Sequence, residues 1–241
     1  MVLRNKFIFS QARSVFRLKS SVYLCGRNMD VPKTAFFLAL SSSLFSVAVI
    51  SEASEGQTAV KGLEKSVIIG DNPEYLAKMG EWLKPVTHSD RYWKLCWRAT
   101  QHGWGVSPFH ANCDGKGSTV TIVKVSSNIF GGFTSKSWGG SRGFLVDPEA
   151  FLFSLANLET AEPIKLTQRS GYSIYAADPY GPTFGTGFDL HIVDYANSNS
   201  DSFANLGGSY QVPPGVDGKT FLAGSYHFTP SEIETFYHVT S

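Results

Sequence analysis

At 241 residues, with 42% hydrophobic and 14% aromatic side chains, the chain can bury a substantial core and is no disordered segment. Its formal charge of +1 conceals a split: residues 1–33 hold seven Lys/Arg and one acid, which leaves net −5 in 34–241. A mildly acidic body lacks the basic face that phosphate backbones require, so nucleic acid is set aside as a partner.

Residues 1–55 read as a leader and linker. Residues 1–29 contain no Asp or Glu and six Lys/Arg, in the manner of a mitochondrial presequence. Ala35–Ile50 is an apolar run of sixteen residues, short for a membrane span and close to ideal for the apolar region of a secretory signal. Met29 offers an alternative start, with Lys33 ahead of the run and Ser51, Ala53 and Ser54 behind it. Three readings stay open. A secretory signal, and with it an extracellular or lumenal location, is favoured over an uncleaved anchor, and that over a mitochondrial leader. Any membrane contact is expected through this leader alone.

Ser66–Gly70 reads as a short strand-like or capping segment. Asp71 and Asn72 before Pro73 mark a helix start, and Tyr75, Leu76, Met79, Trp82 and Leu83 recur on one face, so a helix is expected over Pro73–Lys84. From Tyr92 to Arg98 the period becomes that of a strand. His102–Gly105 is a loop, Ser107–Pro108 opens a short helix through Cys113, and Cys113–Gly117 is a turn. Thr119–Val125, dense in β-branched residues, is the clearest strand; Asn128 marks the hairpin turn and Ile129–Thr134 the return. Shorter segments follow at 150–155, 164–166, 173–176, 188–193, 221–224 and 232–237, separated by turn residues. With 23 Gly and 11 Pro, the pattern predicts a mainly β (α+β) fold: two packed antiparallel sheets, a β-sandwich, with a few flanking short helices. Val120, Ile122, Phe130, Phe151, Phe153, Leu190 and Phe236 are the expected core. Gly131, Gly132, Gly185 and Gly187 are expected to be architectural, either at φ > 0 or under a packed aromatic ring.

These segments, taken in order, resemble the TLDc (TBC/LysM-associated) domain family, in particular stand-alone members related to the oxidation-resistance proteins. Leu95–Trp104 is similar to the family's opening strand and its His-Gly-aromatic loop, and Phe109–Thr119 to the following helix and turn. Phe130-Gly-Gly-Phe133, Phe151-Leu-Phe153, Phe184-Gly-Thr-Gly-Phe188 and Glu232-Ile-Glu-Thr-Phe236 continue the match, which covers about 66–241. The resemblance implies a sandwich without established catalytic residues. It further implies a role in oxidative-stress protection and a protein partner, with the vacuolar proton-pumping ATPase (V-ATPase) as a candidate. A secreted or lumenal recognition domain is the alternative, favoured if the signal reading holds.

Candidate site residues follow from this frame. Trp104 and His102 on the loop, and Glu232 and Glu234 on one face of the closing strand, are the candidate partner-binding residues. Cys96 and Cys113, seventeen apart, form a disulfide in an oxidising compartment or serve as two half-buried thiols. With no CxxC pair, structural zinc is not expected. A thiol–imidazole pair of Cys113 or Cys96 with His110 or His102 is conceivable chemically, but no catalysis and no cofactor are expected. Asp189, His191 and Asp194 read as a solvated polar face in preference to a metal site. Phe184-Gly-Thr-Gly lacks the third glycine of a dinucleotide fingerprint and leads into a strand.

Overall fold

The computed structural model describes residues 60–86, 92–140 and 142–239. The leader and its alternative readings lie outside the described residues. Among the described residues no helix is long and apolar enough to cross a membrane.

The polypeptide forms two antiparallel six-stranded sheets. The first has the order β1 (Trp93–Arg98), β12 (Glu232–His238), β2 (Thr119–Val125), β3 (Asn128–Thr134), β5 (Phe151–Ala156), β6 (Ile164–Thr167). The second runs β11 (His227–Phe228), β10 (Ser202–Ala204), β9 (Leu190–His191), β8 (Thr183–Phe184), β7 (Ile174–Tyr175), β4 (Phe144–Leu145). The helices are α1 (Pro73–Leu83), α2 (Ala99–His102) and α3 (Val106–Cys113). The architecture is therefore the mainly β sandwich that the turn spacing predicts.

Helix α1 starts where the sequence says it should. Asn72 Oδ1 accepts the N–H groups of Glu74 and Tyr75 at 3.0 and 3.1 Å, and Pro73 fills the first position, where no N–H is needed. Its buried face, Met79, Trp82 and Leu83, packs with Leu63 and Ile69 over Val120, Ile122, Phe151, Phe153 and Phe236 of the first sheet. Phe130, Leu152, Val123 and Ile233 point to the opposite face, where Ile174, Phe184, Leu190 and Phe228 of the second sheet meet them. The first sheet is thus covered on both sides. That explains why β2 and β3 are apolar or small at nearly every position, without a solvated alternate row. A register shift between Leu95 and Trp97 lets β1 serve both layers: Trp93 packs towards α1, and Trp97 towards the second sheet. All seven expected core residues are buried, divided between the two layers.

Four details differ from the sequence reading. The hairpin turn is Ser126–Ser127, with Ser126 at φ 52°, and Asn128 already belongs to β3; its Nδ2 donates to the Ala223 carbonyl at 3.0 Å. Residues 221–224 form a turn whose Phe221, Leu222 and Ala223 are buried; their apolar run seals the sandwich without pairing. Ser66–Gly70 is a series of turns, because its N–H groups bond back to Ser66. The 188–193 segment contributes only Leu190–His191 to a strand.

The glycines of β3 are held by space, since neither has positive φ. A Cβ at Gly132 would lie 2.7 Å from the Phe184 ring and 2.8 Å from Leu152 Cδ2, so this bare backbone is where the second sheet's aromatic docks on the first. Gly132→Ala is expected to lose about 2 kcal/mol in urea unfolding through overpacking; a loss within experimental error would refute the close approach. Gly185 differs: its φ is +85°, and the Asp189 carboxylate occupies the space a side chain would need.

Candidate interaction surface

The loop residues singled out from sequence have structural neighbours first. His102 ends α2, and its Nδ1 accepts the Arg98 N–H at 2.9 Å, closing the tight passage from strand to helix. Trp104 sits half-buried against the inter-sheet core. Glu232 and Glu234 require correction as partner-facing residues. β12 lies between β1 and β2, and both carboxylates are buried. Glu234 accepts from Arg98 Nε at 2.7 Å, from the Val67 N–H at 3.2 Å and from the Ser66 hydroxyl. Glu232 accepts from the Thr100 N–H at 3.3 Å, from the Thr100 hydroxyl, and from the Ile233 N–H at 2.9 Å. These acids fasten the N-terminal turns and α2 to the closing strand; nothing of them is left for a partner.

Cys96 on β1 and Cys113 at the end of α3 are joined in a disulfide, with Cα atoms 5.3 Å apart. Neither is a free thiol here, so the conceivable thiol–imidazole pair does not form. One turn before Cys113, His110 places Nδ1 2.8 Å from Asp114 Oδ1 and Nε2 2.9 Å from the Tyr180 carbonyl, pinning α3 to the loop after β7. Asp178 lies close by, with potential ligand atoms of the three side chains within 4.8 Å of one another.

Asp189, His191 and Asp194 do not converge. Asp189 is turned inward and accepts the N–H groups of Gly207, Gly208 and Tyr210 at Oδ1 (2.9, 3.0 and 3.2 Å) and of Ser209 at Oδ2 (2.8 Å). Burial pushes its carboxyl up, against the pull of these four donors. Asp194 Oδ1 accepts the Val106 N–H at 2.8 Å, and so caps α3 from the second sheet. Phe184-Gly-Thr-Gly leads from β8 through a turn into β9, a strand-to-strand connection with no helix N-terminus for a phosphate.

His191 belongs to a different assembly. Its register partners run across the whole second sheet: Phe144 opposite Tyr175, Thr183 opposite His191, His191 opposite Phe203, and Phe203 opposite His227. Residues directly opposite one another share a face. The inward row is Leu145, Ile174, Phe184, Leu190 and Ala204, all packed in the inter-sheet core, so the aromatic row faces outward. Five of its six rungs are aromatic or imidazole. At the sixth, the Thr183 hydroxyl is 2.8 Å from His191 Nδ1, and Phe188 and Tyr180 flank the row there.

Ring centroids step along the face: Phe144 to Tyr175 4.6 Å, Tyr175 to Phe188 5.4 Å, Phe188 to His191 5.1 Å, His191 to Phe203 5.3 Å, Phe203 to Tyr226 5.4 Å. Phe144, Tyr172 and Tyr226 are 38%, 44% and 36% exposed, and His227 is exposed as well. Phe188 takes φ 64°, a conformation that costs a bulky side chain about 1–3 kcal/mol and is held only where the surroundings fix it. Tyr195, 62% exposed, takes φ 49° on the loop after β9.

Burial lowers the His191 pKa to about 4, so the folded chain holds a neutral ring. Above pH 6.5 both folded and unfolded states carry it neutral. Between 6.5 and about 4 only the unfolded chain takes up the proton. Stability should therefore fall by up to about 3 kcal/mol as pH drops through that window and level off below it. His191→Phe should flatten this part of the stability–pH profile. An unchanged slope in the variant would contradict the assignment.

The TLDc domain family's profile matches residues 64–238. MTOR-associated protein MEAK7 of Danio rerio is 36% identical over 74 residues, 30% of this chain and 16% of that relative's length. The chain thus spans only a small part of the relative it matches. A profile match over most of the described residues, in a sandwich of two antiparallel sheets as expected, settles the family: the chain belongs to the TLDc domain family.

Proposed function

We propose that the chain is a non-catalytic protein-binding module whose recognition face is the outer aromatic row of its second sheet. The carrying observation is that row: rings in register on five of the six strands, exposed at Phe144 and His227 and buried at His191, held above an apolar inner row. Monomeric proteins rarely leave contiguous aromatic surface uncovered without use, and Tyr and Phe are enriched where partners dock. The absence of catalysis is part of the same proposal. The cysteines are joined to each other, and His102, His110, Asp189 and Glu234 are engaged in holding loops.

The partner proposed from the family is the proton-pumping V-ATPase, with oxidative-stress protection as the cellular role. MEAK7 carries association with mTOR in its name, which supports protein binding as the general activity. The test is titration of the fluorescently labelled chain with purified V-ATPase, comparing the wild type with Phe144→Ser/Phe203→Ser. Saturable binding that weakens at least about tenfold in a variant of unchanged melting temperature supports the reading. No binding by the wild type refutes the pump as partner, and equal binding by the variant refutes the face. The secretory reading of the leader favours a lumenal ligand instead; the location of the tagged chain in its own cells separates the two.

A further inference from the structure

We propose that the aromatic row recognises a basic, arginine-bearing segment of its partner protein; this rests on the row being the recognition face. Tyr175 and His191 are the last residues of β7 and β9, and Phe203 is the second of β10, so in an antiparallel order the three row positions lie at the same end of the sheet. Exposed Asp178 follows Tyr175 by three residues, exposed Asp194 follows His191 by three, and exposed Asp201 precedes Phe203 by two. Arg142 and Lys219 stand only at the two extremities, Arg142 just before β4 and Lys219 over the Tyr226 ring at 5.6 Å. Three exposed acids therefore gather at one end of the strands that carry the middle of the row, Asp178 beside His110 and Asp114, Asp194 at the start of α3 and Asp201 before β10, while Tyr175, Tyr180, Phe188 and Phe203 lie half-buried over the buried His191.

Rings draw cations to their faces, and carboxylates receive the planar guanidinium in paired hydrogen bonds, so one arginine satisfies both. The same acids disfavour other occupants. A second copy would set its own carboxylates against these, and an anionic membrane or nucleic acid would be repelled.

The probe is a fluorescent peptide of alternating arginine and leucine, with matched citrulline–leucine and glutamate–leucine controls, titrated against the full chain by anisotropy. The arginine peptide should bind saturably, more weakly as salt rises, while the controls bind at least about tenfold less tightly. Asp194→Asn/Asp201→Asn should lower arginine-peptide affinity about tenfold with melting unchanged, because the new amide oxygen at position 194 still accepts the Val106 N–H. Equal binding of all three peptides, or an unaffected Asp variant, overturns the basic-segment proposal and leaves the aromatic face standing. No peptide binding while the Phe144→Ser/Phe203→Ser variant loses the natural partner overturns it too. So does a dimer, or capture by anionic vesicles, that those two Ser substitutions abolish.

Discussion

Replacing Arg98 with methionine should lower unfolding stability by about 3–5 kcal/mol, because it strands a carboxylate that water does not reach. Glu234 has a fully buried side chain and Arg98 only 17% exposure, so solvent screening weakens their 2.7 Å contact little. The Ser66 hydroxyl and the Val67 N–H would remain as donors, but neither carries a compensating charge. Arg98 Nη2 also donates to the Lys65 carbonyl at 3.2 Å, so its loss unfastens the N-terminal turns as well as leaving the charge. The double variant Arg98→Met/Glu234→Leu should recover most of the loss, since two apolar groups need no partner. Urea unfolding of the two variants and the wild type decides it. A single variant within about 1 kcal/mol of wild type would show that the carboxylate is relieved another way.

Asp189→Ala should cost at least about 4 kcal/mol, since it orphans several buried donors at once. Four consecutive backbone N–H groups, from Gly207 to Tyr210, converge on this one carboxylate. The loop they belong to also carries Tyr210, whose hydroxyl donates to the Ser173 carbonyl at 2.7 Å, and Ser209, whose hydroxyl donates to the Tyr172 carbonyl at 2.6 Å. Losing the anchor should therefore loosen the floor beneath Tyr172 and Phe188 before the first sheet responds. Hydrogen exchange of the 205–212 amides, read beside global unfolding, tests this order; uniform protection loss throughout the chain would contradict it.

The first sheet was legible because its strands are long enough to carry a pattern. Thr119–Val125 announces itself by β-branched density, and Phe151, Phe153 and Phe236 by position within such runs. Helix α1 was legible from its cap and its Pro73. Of the second sheet only the segments around β7 and β9, with Leu190, were legible, for a physical reason: β4, β7, β8, β9 and β11 have two residues each, and two residues have no period. Its aromatic row exists only through cross-strand register, which joins Phe144 to His227 over more than eighty residues of chain. The available signal was the repeated placement of Phe, Tyr and His beside Gly, Asn and Asp turns. Glu232 and Glu234 misled in the opposite direction. Two acids alternating on a strand ordinarily face water, and only α2 and the Ser66 turn, folded over them, make them interior.

The second sheet presents aromatic surface, a feature that in many proteins invites fibre growth. Here its borders forbid that route. β4 and β11 are the outer strands, and each is two residues long. A strand arriving from a neighbouring molecule would find too few free backbone groups along either border to continue the ladder. Polymerisation by hydrogen-bonded addition is thereby closed at both margins of this sheet, and its rings can be displayed without seeding filaments by that route.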